Sequence, residues 1–178
     1  MELRSAACIV RSYRPGDAAV SARHGNNRQI WLNLRDRFPH PYTEEHGAAY
    51  ITHVLAQPTQ TSFAIDVGGE AVGGISLHPG TDIERFSAEM GYWLGEEFWG
   101  RGITTAAIVL LTRHAFTDMG FIRIFAVPFV RNAASSRALE KAGYLREGLM
   151  RQSAIKDGIV EDQFLYAALK SEWADPSN

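Results

Sequence analysis

Phe98-Trp99-Gly100-Arg101-Gly102-Ile103-Thr104-Thr105 is the stretch on which the reading of this chain turns. Before it lies Ala88-Glu89-Met90-Gly91-Tyr92-Trp93-Leu94, a strand-like run, and after it an apolar run from Ala106 to Phe116 that reads as helix. Strand, glycine-rich turn and helix start together make an anion site. Glycine lets the backbone turn so that several N–H groups face one way. The new helix leaves its first N–H groups without partners and adds the positive end of its dipole. A pyrophosphate is held at such a place without a lysine. A Gly-x-Gly turn by itself is more often a tight strand–helix connection.

A second segment narrows the reading. After the strand-like Arg123-Ile124-Phe125-Ala126-Val127 comes Asn132-Ala133-Ala134-Ser135-Ser136-Arg137-Ala138-Leu139-Glu140-Lys141-Ala142-Gly143-Tyr144. Together the two segments resemble the GCN5-related N-acetyltransferase superfamily. The first is similar to its acetyl-CoA pyrophosphate loop, and the second to its Asn-x-x-Ser…Leu-Glu-Lys-x-Gly-aromatic segment. The Tyr-Trp-Leu and Trp-Gly-Arg-Gly wording is most similar to the branch with ribosomal-protein alanine N-acetyltransferases. The resemblance runs roughly from the first strand to the last.

The bulk numbers suit that class. At 178 residues, one domain over 1–178 is expected, with an ordered core at about 7–170 and a frayed tail over 171–178. Hydrophobic content of 46% and charged content of 21% are those of an ordinary globular protein. A net charge of −2 gives no electrostatic case for nucleic acid. No apolar run reaches membrane-spanning length, and the first residues lack the apolar core of a signal peptide. The one cysteine, Cys8, reads as a buried thiol in a strand. The expected location is cytoplasmic.

Element signals follow in order. Cys8 to Tyr13 reads as a first strand, and Asp17 as the cap of a helix through about Gly25. Asn26 to Pro41 reads as irregular. Thr43 caps a helix that Pro58 stops. Strands over Thr61–Val67 and Ala71–Leu77 flank the hairpin signal Gly68-Gly69. Strand 88–94, helix 102–118, strand 123–127 and helix 133–142 come next. Strands over about 144–155 and 160–168 flank Asp157-Gly158. The predicted order, β-α-α-β-β-β-α-β-α-β-β, gives an α/β (α+β) fold with a mixed central sheet of about seven strands and helices on both faces. The resemblance adds a splay at the fourth strand, where a pantetheine arm inserts. A phosphate-binding P-loop is a poor competitor, because no Gly-Lys-Ser/Thr follows the glycines.

The resemblance also assigns roles. Trp93 and Leu94 supply main-chain bonds to the pantetheine arm; the Trp93 side chain reads equally as a core aromatic. The loop Gly100, Arg101, Gly102, Ile103, Thr104 and Thr105 wraps the pyrophosphate. Asn132 bonds the pantetheine amide, and Ser135 lies near the sulfur as a proton donor to the leaving thiolate. Against this, Ser135 and Asn132 both read as helix-start caps. Arg137 and Lys141 point either to a ribose phosphate or, more often for such residues, to solvent. Acetyl transfer needs an amine freed of its proton, donors for the oxyanion and a proton for the thiolate. Glu89, five residues before Leu94, is the candidate base through a water, with a structural carboxylate as the equal alternative. None of the six histidines has metal spacing, and no metal is expected. The aromatics and arginines of Arg28 to Tyr42 fall where the superfamily builds its acceptor wall, and equally suit packing.

The expected activity is acetyl-CoA-dependent N-acetyl transfer to a primary amine, on a protein N-terminus or a small molecule, by direct attack in a ternary complex. The competing reading is an acetyl-CoA-binding module without transferase activity. A third is self-association through an exposed tail strand, giving a homodimer.

Overall fold

A computed structural model describes residues 1–176. Its strands form one eight-stranded mixed sheet. In chain order the elements are β1 (Glu2–Arg4), β2 (Ile9–Arg11), α1 (Ala18–Gly25), α2 (Arg28–Trp31), α3 (Glu44–Leu55), β3 (Ser62–Val67) and β4 (Glu70–Pro79). Then follow β5 (Ser87–Leu94), α4 (Ile103–Thr117), β6 (Arg123–Ala126), α5 (Ala133–Lys141), β7 (Leu145–Lys156) and β8 (Ile159–Leu169). The strand order is β1-β2-β3-β4-β5-β6-β8-β7. Among the described residues no helix is long and apolar enough to cross a membrane. The chain divides into two compact units: Met1–Ser76 with Tyr92–Ala107, and Leu77–Gly91 with the chain from Ile108 onward.

In the first unit, β2 pairs antiparallel with β3, and β3 with β4 through the Gly68-Gly69 turn, where both glycines have positive φ. Thr43 caps α3 as its sequence predicts, accepting from the His46 amide. Gly47 lets α3 approach α1: a Cβ there would meet the Ala18 carbonyl oxygen at 3.0 Å. Tyr13, Ala18, Ile51, Val54, Ala64 and Ala71 bury together beneath these helices.

Three expectations need correction here. The sheet has eight strands, because Glu2–Arg4 pairs with β2, setting Leu3 against Val10. Asp17 makes no side-chain cap on α1. Instead it is buried, receives two bonds from the Arg11 guanidinium, at 2.7 and 2.9 Å, and accepts the Arg14 amide. The stretch Asn26 to Pro41 contains one helical turn, α2, whose N-cap Asn27 accepts from the Gln29 and Ile30 amides.

In the second unit, β5 pairs parallel with β6 over Ser87–Glu89 against Arg123–Phe125. β6 pairs antiparallel with β8, and β8 with β7 through the positive-φ turn Asp157-Gly158. Ile108, Leu111, Ile124, Leu139, Tyr144 and Tyr166 are fully buried. The Tyr144 and Thr112 hydroxyls share a 2.7 Å hydrogen bond inside this core. The tail is held further than its composition predicts. The Trp173 indole donates to the Ala142 carbonyl at 2.8 Å and lies edge-on to Phe116, while Asp175 pairs with Arg113. The last part of the expected frayed tail, residues 177 and 178, lies outside the described residues.

Candidate functional site

The glycine-rich loop sits in the first unit, between the end of β5 and the start of α4. β5 ends with Trp93 and Leu94, and the Gly95 amide donates to the Val72 carbonyl at 2.8 Å. A short 3-10 turn, Glu96–Phe98, brings the chain round. Gly100 and Gly102 both hold φ near +75°. A Cβ at either would meet nothing within 4 Å, so backbone conformation alone asks for glycine here. Gly100, Arg101 and Gly102 are exposed, Thr104 and Thr105 half-buried, and Ile103 buried.

The Ala106 amide closes the first helical bond of α4, onto the Gly102 carbonyl at 3.0 Å. The amides of Ile103, Thr104 and Thr105 therefore precede the helical ladder. No acidic residue occupies this first turn, so nothing opposes the positive end of the fifteen-residue helix. The arrangement is suited to an anion lying across the loop.

Contacts from distant sequence hold the loop in place. The Trp99 indole donates to the Leu94 carbonyl at 2.8 Å, folding the loop back on its own strand. The Asn27 side-chain amide donates to Glu96 at 2.6 Å. The buried His24 ring lies 3.0 Å from a Glu97 carboxylate oxygen and edge-on to Phe98. The Arg101 guanidinium lies over the Phe98 ring at 5.5 Å, and Cys8 donates weakly to the Ile103 carbonyl. Burial pushes the Cys8 thiol up, so it stays protonated.

Sequence reasoning missed His24, Asn27, Glu96 and Glu97. It also missed Gly73 and Gly74, for which a signal existed: glycines inside a strand mark close approach of another backbone. A Cβ on Gly73 would lie 2.5 Å from the Trp93 carbonyl oxygen, and one on Gly74 would lie 2.7 Å from the Trp93 indole nitrogen.

Trp93 and Leu94 thus join the loop in one unit. The Trp93 side chain packs against Phe38, which stacks on Tyr42 at 4.5 Å between ring centres. Burial and the neighbouring Tyr50 push the Tyr42 phenol up to about 12. Tyr42 is buried and Phe38 half-buried. Half-buried Trp31 stacks on exposed His40, with Arg28 over Trp31.

The other predicted residues lie in the second unit. Glu89 is half-buried on β5 opposite Phe125, between the fully buried Ala88 and Met90. Strand alternation sets its side chain on the face opposite to theirs. Asn132 is the N-cap of α5 and accepts from the Ser135 amide at 3.1 Å. Of the two residues read as caps, Asn132 takes that role and Ser135 does not. Arg137 and Lys141 are exposed. Among the described residues no group of three or more metal-ligating side chains converges.

The acetyltransferase (GNAT) domain family matches residues 8–145. The chain is 38% identical over 105 residues to the "Putative ribosomal N-acetyltransferase YdaF" of Bacillus subtilis (strain 168), covering 59% of this chain and 57% of that protein. That alignment therefore spans less than two thirds of the relative's length. It is 33% identical over 166 residues to the "Uncharacterized N-acetyltransferase p20" of Bacillus licheniformis, covering 89% and 90%. Among solved structures, Mycobacterium smegmatis RimJ in complex with CoA-disulfide superposes with a TM-score of 0.83 at 26% identity, over 97% of this chain and 87% of that one. With the glycine loop, its helix and the capped α5 in place, the chain belongs to the acetyltransferase (GNAT) domain family.

Proposed function

We propose that this protein moves the acetyl group of acetyl-CoA to a primary amine by direct attack in a ternary complex. The observation that carries this reading is the Gly100–Thr105 loop, with two positive-φ glycines leading into a long helix whose first turn has no acid. The RimJ neighbour, solved with CoA-disulfide, supports a CoA moiety as the occupant. The family match crosses both compact units, which supports reading the chain as one acetyltransferase domain.

In this reading the Gly100–Thr105 amides take the pyrophosphate, and the Trp93 and Leu94 main chain takes the pantetheine arm. The Leu94 carbonyl already accepts one bond from Trp99 and keeps a second lone pair. Asn132 bonds the pantetheine amide. The amine loses a proton to Glu89 through a water, attacks the thioester carbonyl and forms a tetrahedral oxyanion. That intermediate collapses to the amide as its nitrogen gives up its second proton; the CoA thiolate is expelled and takes a proton from the Ser135 hydroxyl, which takes the nitrogen's proton in return and ends as it began. The reaction needs no metal. Relatives named as ribosomal-protein acetyltransferases favour a protein N-terminus as acceptor over a small amine. The single buried cysteine supports a cytoplasmic setting.

The test is calorimetry with CoA, paired with thiol release over a panel of N-terminal peptides and small amines. Gly102→Asp sets a carboxylate against the phosphates and is expected to abolish CoA binding. Undiminished binding by that variant would overturn the loop assignment. Binding by wild type with no thiol release on any acceptor would favour a module that only holds acetyl-CoA.

A further inference from the structure

His24 is buried, 4% exposed at its side chain, yet takes no part in the chemistry proposed above. It sits in the last turn of α1, and the groups it touches all belong to the first unit. Its ring lies against the chain that leads into the glycine loop. A Cβ on Gly95 would meet His24 Nδ1 at 3.1 Å and Cγ at 3.2 Å, so the bare backbone there lets the ring come this close. The ring is edge-on to Phe98, whose own face carries Arg101 of the loop. Nδ1 faces the Glu97 carboxylate at 3.0 Å, and Glu97 stands three residues before Gly100.

The other ring nitrogen decides where the proton sits. Arg23 Nη2 lies 3.2 Å from His24 Nε2 and 2.7 Å from Glu70 Oε2. A guanidinium has donors only, and this nitrogen carries two hydrogens, one for each neighbour. His24 Nε2 therefore accepts. The neutral ring then holds its proton on Nδ1 and donates it to Glu97. Glu70 itself stays 3.9 Å from Nε2. The bonds run in one direction: Arg23 donates to Glu70 on β4 and to His24 on α1, and His24 donates to Glu97 in the turn before the loop. Glu97 is exposed and has water as an alternative partner. The buried Nδ1–H does not, so leaving it unpaired is costly.

We propose that His24, held by Arg23 in its Nδ1–H form, is a positioning residue that sets CoA affinity by fixing the Glu96–Phe98 turn ahead of the Gly100–Thr105 loop. The inference rests on the transferase reading for what the loop holds. A site made of backbone amides binds well when those amides are aimed before the ligand arrives, because ordering a loose loop on binding subtracts from affinity. His24 supplies that aim from a helix, through a side chain that never meets the ligand.

The experiment joins calorimetry with CoA, thermal melts and nitrogen NMR of the imidazole rings, all on the full chain in mildly alkaline solution. Wild-type His24 is expected to carry its proton on Nδ1, and Arg23→Met to move part of it to Nε2. Glu97→Gln and Glu97→Ala remove the same charge, but only the first keeps a carbonyl oxygen for Nδ1–H. Glu97 is exposed, so both should melt as wild type does, with Glu97→Ala binding CoA roughly fivefold more weakly than Glu97→Gln. His24→Asn sets an amide N–H where Nδ1 stands, and His24→Gln where Nε2 stands. Both lose the ring's packing; His24→Asn is expected to bind CoA about fivefold more tightly than His24→Gln. A wild-type His24 with a proton on Nε2 overturns the proposal. So does Glu97→Ala binding CoA as tightly as Glu97→Gln, or His24→Asn and His24→Gln losing affinity only in step with their melts. These outcomes, with wild-type binding intact, overturn this inference alone; a wild type that binds no CoA overturns the transferase reading along with it.

Discussion

Gly102 holds φ at +75° in open space, whereas a Cβ on Gly73 would come within 2.5 Å of the Trp93 carbonyl oxygen. The first glycine is required by conformation and the second by crowding. Only the first need is announced by a local pattern, because the second depends on a strand twenty residues further along the chain. The same divide runs through the chemical residues. Asn132 accepts the Ser135 amide, so the helix cap is accounted for without the Ser135 hydroxyl. A leaving-group donor matters in the transition state and little in the ground state. Ser135→Ala is therefore expected to lower kcat with acetyl-CoA affinity nearly unchanged. Glu89→Gln keeps the shape and removes the proton acceptor. It is expected to lower the maximal rate roughly 10²-fold and to flatten the acid limb of the rate–pH profile. Steady-state rates across pH on one good acceptor, with calorimetry for CoA, separate the two residues. A Ser135→Ala variant that loses affinity at full maximal rate would make that serine a cofactor-positioning residue. An unchanged profile for Glu89→Gln would make Glu89 structural.

The strand–loop–helix element was legible because its signals are local: a glycine pair, an apolar helix and a strand run, all within about thirty residues. Much of what positions it was not. Asn27 reaches Glu96 across 69 residues, and His24 reaches Glu97 from the end of another helix. β1 is three residues, Glu-Leu-Arg, with one apolar side chain; only pairing with β2 makes it a strand. Asp17 looked like a cap because a helix follows it, yet the buried Arg11 guanidinium competes for its oxygens and wins. Composition likewise called the tail frayed, although the Trp173 indole and the Asp175 carboxylate tie it to the end of α5 and to α4. Within the loop element, the Trp99 indole bond to Leu94 is the tie open to a clean test. Trp99 is half-exposed, so Trp99→Phe removes little core packing. Losing one hydrogen bond of about 1 kcal/mol should loosen the loop and weaken CoA binding by roughly fivefold. The melting temperature should move little. Calorimetry paired with a thermal melt checks this; a large fall in stability with unchanged affinity would make Trp99 a fold residue rather than a loop tie.

At the scale of the whole chain, one buried cation ties several elements together: Arg11, 3% exposed at its side chain. Its guanidinium donates Nε to Asp66 at 2.7 Å and both terminal nitrogens to Asp17. Asp66 also accepts the Gly69 amide at the β3–β4 turn, so the trio ties β2, the start of α1 and a hairpin together. Burial by itself would raise the Asp17 carboxyl. The Arg11 guanidinium and the Arg14 amide more than offset this and hold it below its ordinary value. A depressed folded pKa means that the folded state binds its proton more weakly than the unfolded chain. The stability from this contact is therefore full above about pH 4 and is lost as pH falls through the folded value. Arg11→Met removes the cation and leaves the carboxylates buried. At pH 7 that should cost about 3–5 kcal/mol, since breaking a buried ion pair strands the partner charge. The sign of the pH dependence should also reverse. With burial no longer opposed by the guanidinium, the Asp17 carboxyl is expected to rise, and the folded state then takes up its proton more readily than the unfolded chain. Stability of the variant should accordingly increase as pH drops from 7 toward 5, where wild type stays flat. Urea denaturation of both forms at a series of pH values between 3 and 7 makes the comparison. Parallel curves offset by a constant would mean that Arg11 contributes packing rather than charge.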